Sequence, residues 1–439
     1  MSDSPERPVD TRKLGPFWLM PAVTRLNGTT YFVSAALAVP MLAALSFLQP
    51  IMMRIVGVDR DIQGTLSGDL VFFQEWIVLL MTPFVGAVTD KLGRRPVLMM
   101  GMLLLGVTYA LYPFAGSIAM MYGYRVFFGA GLAMVATTLT IVSADYVQDR
   151  SRGSWVAVAS MTQGLGIFAV TQILRRVPAE LAQIGYTEGD IARSLFWGCA
   201  ALCVGIFVLM AAGLSRAKPA QSRARDSLWT LVRCGLDAAR QRPRVALAYS
   251  TAFAARGDFL VVGTFSFLWT QQAAEDLGLG AAEGFARGGI VVGVIQGCAL
   301  LWAPVMGVLL NRIDRVTGVI VAFGLAAIGY TAFGLVDDPF SREIIPVAVL
   351  LGMGETSAII SANALIGQSA PASIRGSILG SYALCGAAGI LFATSLGGRL
   401  FDLWMAGGPF VQMGIVNTLV LCAAILVRRR TGAVFEQAE

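Results

Sequence analysis

The sequence predicts an all-α membrane protein, with twelve transmembrane helices in two six-helix, pseudo-symmetric halves. Three observations predict it. The 439 residues are 56% hydrophobic and only 14% charged, where a soluble domain carries roughly 25% charge. Twelve apolar runs reach the roughly 20 residues a helix needs to cross the hydrocarbon. Short motifs of the first half of the chain recur, at a near-constant spacing, in the second.

A tail, residues 1–30, comes first. The N-terminal half, 31–214, holds spans near 31–53, 69–89, 96–117, 119–144, 154–174 and 194–214. The first run begins too late, and is too long, for a cleaved signal peptide, and its Pro40 and Pro50 are expected to kink it. A linker, 215–244, is the longest interior polar segment. The C-terminal half, 245–427, holds spans near 245–271, 288–310, 316–336, 344–367, 377–400 and 408–427, and a tail, 428–439, closes the chain. In lipid every backbone group must pair within its own segment, so each run is expected to be helical.

Lys and Arg orient the spans. An even count puts both termini on one side, and 23 of the 33 basic residues fall there. They run from Arg7, Arg12, Lys13 and Arg25 to Arg428–Arg430, with eight in the linker, Lys218, Arg223 and Arg225 among them. Eight lie opposite, and Arg125 and Arg256 stand inside spans. The bias makes both termini cytoplasmic in a plasma-membrane protein. The net charge of +6 is therefore an orientation signal, and no nucleic-acid partner is expected. The lipid bilayer is.

Composition also excludes chemistry. The chain has no histidine, so no His-based triad, His-ligated metal or imidazole proton relay is available. Six scattered cysteines form neither a disulfide framework nor a CxxC pair. There is no Walker A sequence. No cofactor, metal or enzymatic activity is expected.

The repeats support two related halves. Arg152-Gly153-Ser154 and Arg375-Gly376-Ser377 precede spans 5 and 11, and Gly129-Ala130-Gly131 matches Gly352-Met353-Gly354. Gly166 matches Gly389, and Gly86 and Asp90 match Gly307 and Asn311. Two six-helix halves in parallel arrangement imply a binding site at their interface, near the bilayer midplane.

Residues 86–96 read Gly86-Ala-Val-Thr-Asp90-Lys91-Leu-Gly93-Arg94-Arg95-Pro96. They resemble the signature loop between helices 2 and 3 of the major facilitator superfamily. Arg125-x-x-x-Gly129-x-Gly131 in span 4 resembles that family's helix-4 arginine motif, with Phe128 where a polar residue is usual. Gly307, Asn311, Arg312 and Arg315 look like the degenerate second copy. The resemblance covers nearly the whole chain and implies a twelve-helix secondary transporter working by alternating access. Span 5 has Gly164-Leu165-Gly166 and no Gly-Pro motif, which speaks against a drug antiporter. The resemblance further implies a latch that holds while the cytoplasmic side is closed. In it Gly86 and Gly93 permit close approach and a tight turn. Asp90 faces the N-terminus of span 11 near Gly376 and Ser377. Arg94, followed by Arg95, bridges to Asp145 or Asp149.

Five charges stand inside spans: Glu75, Arg125, Arg256, Asp258 and Glu355. Such residues cost about 2.5–3.5 kcal/mol each at the bilayer centre, and mark substrate or ion pathways by default. Glu75 lies at the depth of Arg125 and is its expected partner. Arg256 and Asp258 are about 200° apart around a helix, so one is expected to face the path and the other a neighbouring helix. Glu355 has no cationic partner on its own helix, which suits it to carry a proton. Without histidine, a proton route must use Glu75, Asp258 or Glu355. Ser34, Ser46, Gln49, Gln163, Gln172, Gln296 and Tyr382 are further candidates for cavity lining or interhelical bonds. Trp155, Trp197 and Trp269 read as interfacial anchors.

The expected function is secondary active transport of a small organic solute, proton-coupled, by a monomer. A cavity with both signs of charge and abundant Met and Phe suits an amphiphilic or zwitterionic solute. Two alternatives stand beside it: a uniporter or lipid-like amphiphile efflux transporter of the same fold, and a transport-inactive sensor.

Overall fold

The computed structural model describes residues 13–216, 228–371 and 374–432. Arg7, Arg12, Lys218, Arg223 and Arg225 lie outside the described residues. Twelve of the described helices are long and apolar enough to cross a membrane, as the run lengths require.

Spans 1 to 6 are α1 (Arg25–Val56), α2 (Gln63–Leu92), α3 (Arg94–Leu111), α4 (Ile118–Tyr146), α5 (Asp149–Gln183) and α6 (Glu188–Gly213). A shorter helix, α7 (Leu228–Gln241), lies in the linker. Spans 7 to 12 are α8 (Pro243–Asp276), α9 (Ala281–Arg312), α10 (Arg315–Gly334), α11 (Ile344–Ser369), α12 (Arg375–Leu403) and α13 (Gly408–Thr431). Pro40 and Pro50 both sit inside α1. α5 runs past its predicted end, through Arg175 and Arg176, to Gln183. Hydropathy marks where the hydrocarbon stops, not where the backbone ladder stops.

The halves are similar in contact as well as in sequence. A Cβ on Gly166 of α5 would overlap the Ala36 carbonyl of α1, and a Cβ on Gly389 of α12 would overlap the Phe253 carbonyl of α8. Only glycine permits so close a helix approach in either half. Arg94 donates to the Thr89 carbonyl at 3.0 Å, and Arg315 donates to the Leu310 carbonyl at 2.6 Å. Both partners of the second contact are the repeat equivalents of those in the first.

The seam between the halves is made by α2 against α12 and α5 against α9, with α1 against α8. At the end opposite the termini, here the far end, ion pairs cross it. Arg54 meets Glu275 at 2.7 Å, Arg60 grips both oxygens of Asp276 at 2.5 and 2.6 Å, and Arg399 meets Asp69 at 3.0 Å.

Two segments at the near end fold more than polarity suggests. Residues in the tail before α1 form a hairpin, β1 (Lys13–Leu14) paired with β2 (Phe17–Trp18). It continues into a bridge between Leu19 and Val147, beyond α4. The Trp18 ring carries two cations, Lys13 at 3.7 Å and the Arg150 guanidinium at 3.6 Å. In the linker, α7 buries Gly235 and Ala238 on one face. Gly235 abuts Ser377 and Ser381 of α12 and accepts from the Tyr249 hydroxyl at 3.1 Å.

Trp155 and Trp269 are not interfacial anchors. Trp155 is fully buried against Phe17, Tyr31 and Phe32. Trp269 packs among Phe333 and Phe410. Position near a span end does not tell whether a ring points to lipid or into the bundle. Trp197 is half exposed, and its ring nitrogen donates to the Ala110 carbonyl at 3.3 Å.

Candidate functional site

Arg125 is fully buried on α4. Its guanidinium donates to Gln74 of α2 through one nitrogen and to Gln49 of α1 through another. The expected pairing of Arg125 with Glu75 is not made: its partners are Gln74 and Gln49. Gln74 and Glu75 are adjacent, hence about 100° apart around α2, and Gln74 takes the inward face. Neutral amide oxygens take two of the guanidinium nitrogens within its own bundle, Arg125 Nε has no partner among the described residues, and Glu75 is left for the seam.

Glu75 is half-buried, and its charge reaches Arg256 of α8 in the opposite half. The Arg256 side chain lies along α12 beside Gly386 and acts on Tyr382. Tyr382 donates to Asn363 of α11 at 3.1 Å. The seam therefore gathers an anion from the N-terminal half with a cation, a phenol and an amide from the C-terminal half. No ion pair joins Glu75 to Arg256 among the described residues, so both charges remain open to a third group.

Asp258 turns the other way, as its helical offset from Arg256 requires. It is fully buried and accepts from Asn417 of α13 at 2.9 Å. Glu355 of α11 is also buried, and no hydrogen bond or ion pair reaches it among the described residues. Its charge and that of Asp258 act on each other and on the buried Tyr330 hydroxyl of α10. Asp258 Oδ2, Asn417 Oδ1 and Tyr330 Oη all lack partners among the described residues. Two carboxyl groups, an amide and a phenol from four helices thus meet behind the seam. Asn417 and Tyr330 escaped sequence reasoning. The only signal was a polar group inside an otherwise apolar span.

At the near end, Arg94 Nη1 donates to Asp90 at 3.0 Å and Arg94 Nε donates to Asp145 at 2.9 Å. Gly93 between α2 and α3 has φ +97°, a turn that favours glycine, and Gly86 is buried. Arg95 turns to α6 and donates to the Ala211 carbonyl. In the second copy Asn311 and Arg312 are exposed, while Arg315 keeps its carbonyl contact. The acids themselves do not recur at the equivalent positions. Asn311 stands where Asp90 would, and Gln368 stands where Asp145 would.

Of the polar lining candidates, Gln49 serves Arg125, and Gln172 accepts from Arg175 at 2.5 Å. Ser34 Oγ and Gln296 Oε1 are buried without partners among the described residues. Gln296 is the repeat equivalent of Glu75, so the two halves place polar groups at equivalent depth.

Comparison with known proteins identifies the family. A profile described as Major Facilitator Superfamily matches residues 30–394 and, again, 251–438. The chain belongs to the major facilitator superfamily. It is 26% identical to the magnetosome protein MamH of Paramagnetospirillum magneticum over 415 residues, 92% of this chain and 93% of that protein. It is 28% identical to the class D tetracycline resistance protein of Salmonella ordonez over 324 residues, 71% of this chain and 75% of that one. Its fold is similar to that of the nucleoside transporter NupG, with a TM-score of 0.70 at 13% identity, covering 94% of this chain and 100% of that one. The superfamily chain is thus a multi-pass membrane protein with the twelve-span fold, and its place among transporters argues against an enzyme.

Proposed function

We propose that the protein is a proton-coupled secondary transporter of a small organic solute, working by alternating access as a monomer. Glu75 and Arg256 carry this reading, because opposite charges from opposite halves face one seam without an ion pair between them. A solute bearing both an anionic and a cationic group matches that pair. Arg256 takes its carboxylate or phosphate by charge-assisted hydrogen bonds, and Glu75 takes its amine. Binding draws the halves together on the solute, which couples occupancy to closure. Arg125 stays in the N-terminal bundle as a positioning residue. Asp258 and Glu355 serve the proton, since neutral carboxyls are the cheaper form in hydrocarbon. The termini are cytoplasmic and the protein works in the plasma membrane. The name of the MamH relative favours a second reading of location alone, a magnetosome membrane, which membrane fractionation distinguishes.

Uptake by proteoliposomes, with and without an imposed pH gradient across a panel of zwitterions, sugars and lipid-like amphiphiles, tests the reading. Gradient-driven accumulation of a zwitterion is the expected result. Flux indifferent to pH leaves a uniporter, and no flux of any solute leaves a sensor.

A further inference from the structure

Among the described residues, neither helix of the α2–α12 seam has a side-chain cap at its own N-cap residue, although Asp59 caps the single 3-10 turn, Arg60–Ile62, that leads into α2. α2 begins at Gln63 after Ile62, with no side-chain cap and no acidic residue in its first turn. α12 begins at Arg375 after Ile374, with the same two lacks. A helix start leaves unsatisfied N–H groups and a positive dipole end. The two helices run in opposite directions, so the start of each lies beside the end of the other.

At the far end that vacancy is filled across the seam. Asp402, at the end of α12, accepts from the Gly64 amide at 2.8 Å and the Thr65 amide at 2.6 Å, both in the first turn of α2. The approach is tight. A Cβ on Gly68 would overlap the Thr394 carbonyl, and a Cβ on Gly398 would press on the Gly64 carbonyl. Arg399, one turn before Asp402, pairs with Asp69 across the same seam.

We infer that Asp402 is the far-end latch of the transport cycle, the reciprocal of Asp90 on the same pair of helices. This rests on the alternating-access reading. Asp90 lies at the end of α2 and Asp402 at the end of α12; Asp402 caps the start of α2, and the cap on the start of α12 is the role the family resemblance implies for Asp90. The two caps serve opposite states, because closing one end of the seam opens the other. Among the described residues, the related seam, α5 against α9, has no such pair. Its repeat equivalent of Asp402 is Ala179, and its repeat equivalent of Asp90 is Asn311. Charge gating by these caps is thus confined to the α2–α12 seam.

The test measures spin-label distances in a variant lacking the six cysteines. One pair reports the far end, Ile184→Cys with Leu335→Cys, and one reports the near end, Asp149→Cys with Arg430→Cys. Asp402→Ala is expected to lengthen the far-end distance and shorten the near-end one, shifting the ratio of states roughly fivefold. Asp402→Glu restores most of the shift, and Asp90→Ala shifts it the opposite way. Far-end lengthening with no near-end response would reduce Asp402 to a local packing role and overturn the latch. So would unchanged distances in Asp402→Ala while Arg60→Ala opens the far end. If no variant moves either distance, the alternating-access reading falls with it.

Discussion

Asn417 donates to Asp258 across 2.9 Å inside the C-terminal half, tying α13 to α8. The bond uses one carboxyl oxygen and leaves the other, with the amide oxygen of Asn417, unsatisfied among the described residues. An incompletely satisfied buried network is costly and responsive to one added proton. Asn417→Leu withdraws the bond to Asp258 and is expected to destabilise the protein by about 1–3 kcal/mol. Asp258→Asn preserves a neutral amide bond and is expected to cost less. Thermal unfolding in detergent gives the order. The reverse order would mean that the charge of Asp258 is itself stabilising.

Glu355 is buried with no hydrogen bond or ion pair among the described residues, and the proton-coupled reading proposed above assigns it the proton. Glu355→Gln is expected to abolish solute accumulation driven by a pH gradient while sparing solute exchange. Accumulation that survives in this variant removes Glu355 as the carrier.

Arg125 is held in its own bundle by two glutamine oxygens, those of Gln74 and Gln49. Gln49→Leu withdraws a partner from a buried charge and is expected to cost about 3–5 kcal/mol. Adding Arg125→Met removes that charge, so the double variant is expected to be no less stable than Gln49→Leu alone. A double-mutant cycle on unfolding midpoints reads the coupling, and simple additivity would show that the contact contributes nothing.

Close helix approach makes Gly166 and Gly389 intolerant of side chains. Gly166→Val and Gly389→Val are each expected to reduce the yield of monodisperse protein sharply. Gly153→Ala, with open space around the site, is the neutral control. Size-exclusion profiles of a fluorescent fusion decide it.

Asp90→Asn is expected to insert normally and to transport at a rate several-fold lower. Asn311→Asp, which restores the missing acid in the second copy, is expected to bring its carboxylate toward Arg315 and to change the rate of transport. Wild-type flux in properly inserted Asp90→Asn would leave residues 86–96 with an orientation role alone.

Trp18 holds the near-end hairpin through two cation contacts, each worth about 0.5–1 kcal/mol at exposed sites. Trp18→Ala is expected to lower the unfolding midpoint by a few degrees, on the order of 2–4 °C, and Trp18→Phe to recover part of it. An unchanged midpoint would show that the hairpin is held by its backbone bonds, such as Gln148 N–H to the Trp18 carbonyl.

The fold was legible because lipid imposes a length and a polarity on every crossing, and because Gly166 and Gly389 keep their repeat spacing. The charges of the site were legible for the same reason: Glu75 and Arg256 stand out in apolar runs. Their partners were not. Sequence position gives a residue's depth, and depth placed Glu75 level with Arg125. Which neighbour a side chain meets depends on helix rotation, and a rotation of one residue exchanges Gln74 for Glu75. The same ambiguity hid the burial of Trp155 and the meeting of Asn417 with Asp258. The Asp402 cap was beyond reach because it joins residues 338 positions apart in helices that touch only in the assembled protein.

The contact of Gly166 with Ala36 has a consequence for biosynthesis. The first helix leaves the ribosome long before the fifth, yet the fifth supplies the surface it packs against. Until then the face of α1 around Ala36 waits in the bilayer without the helix it packs against. That face is completed only by a later helix of the same chain, so a pause between spans 1 and 5 is where quality control has most to recognise.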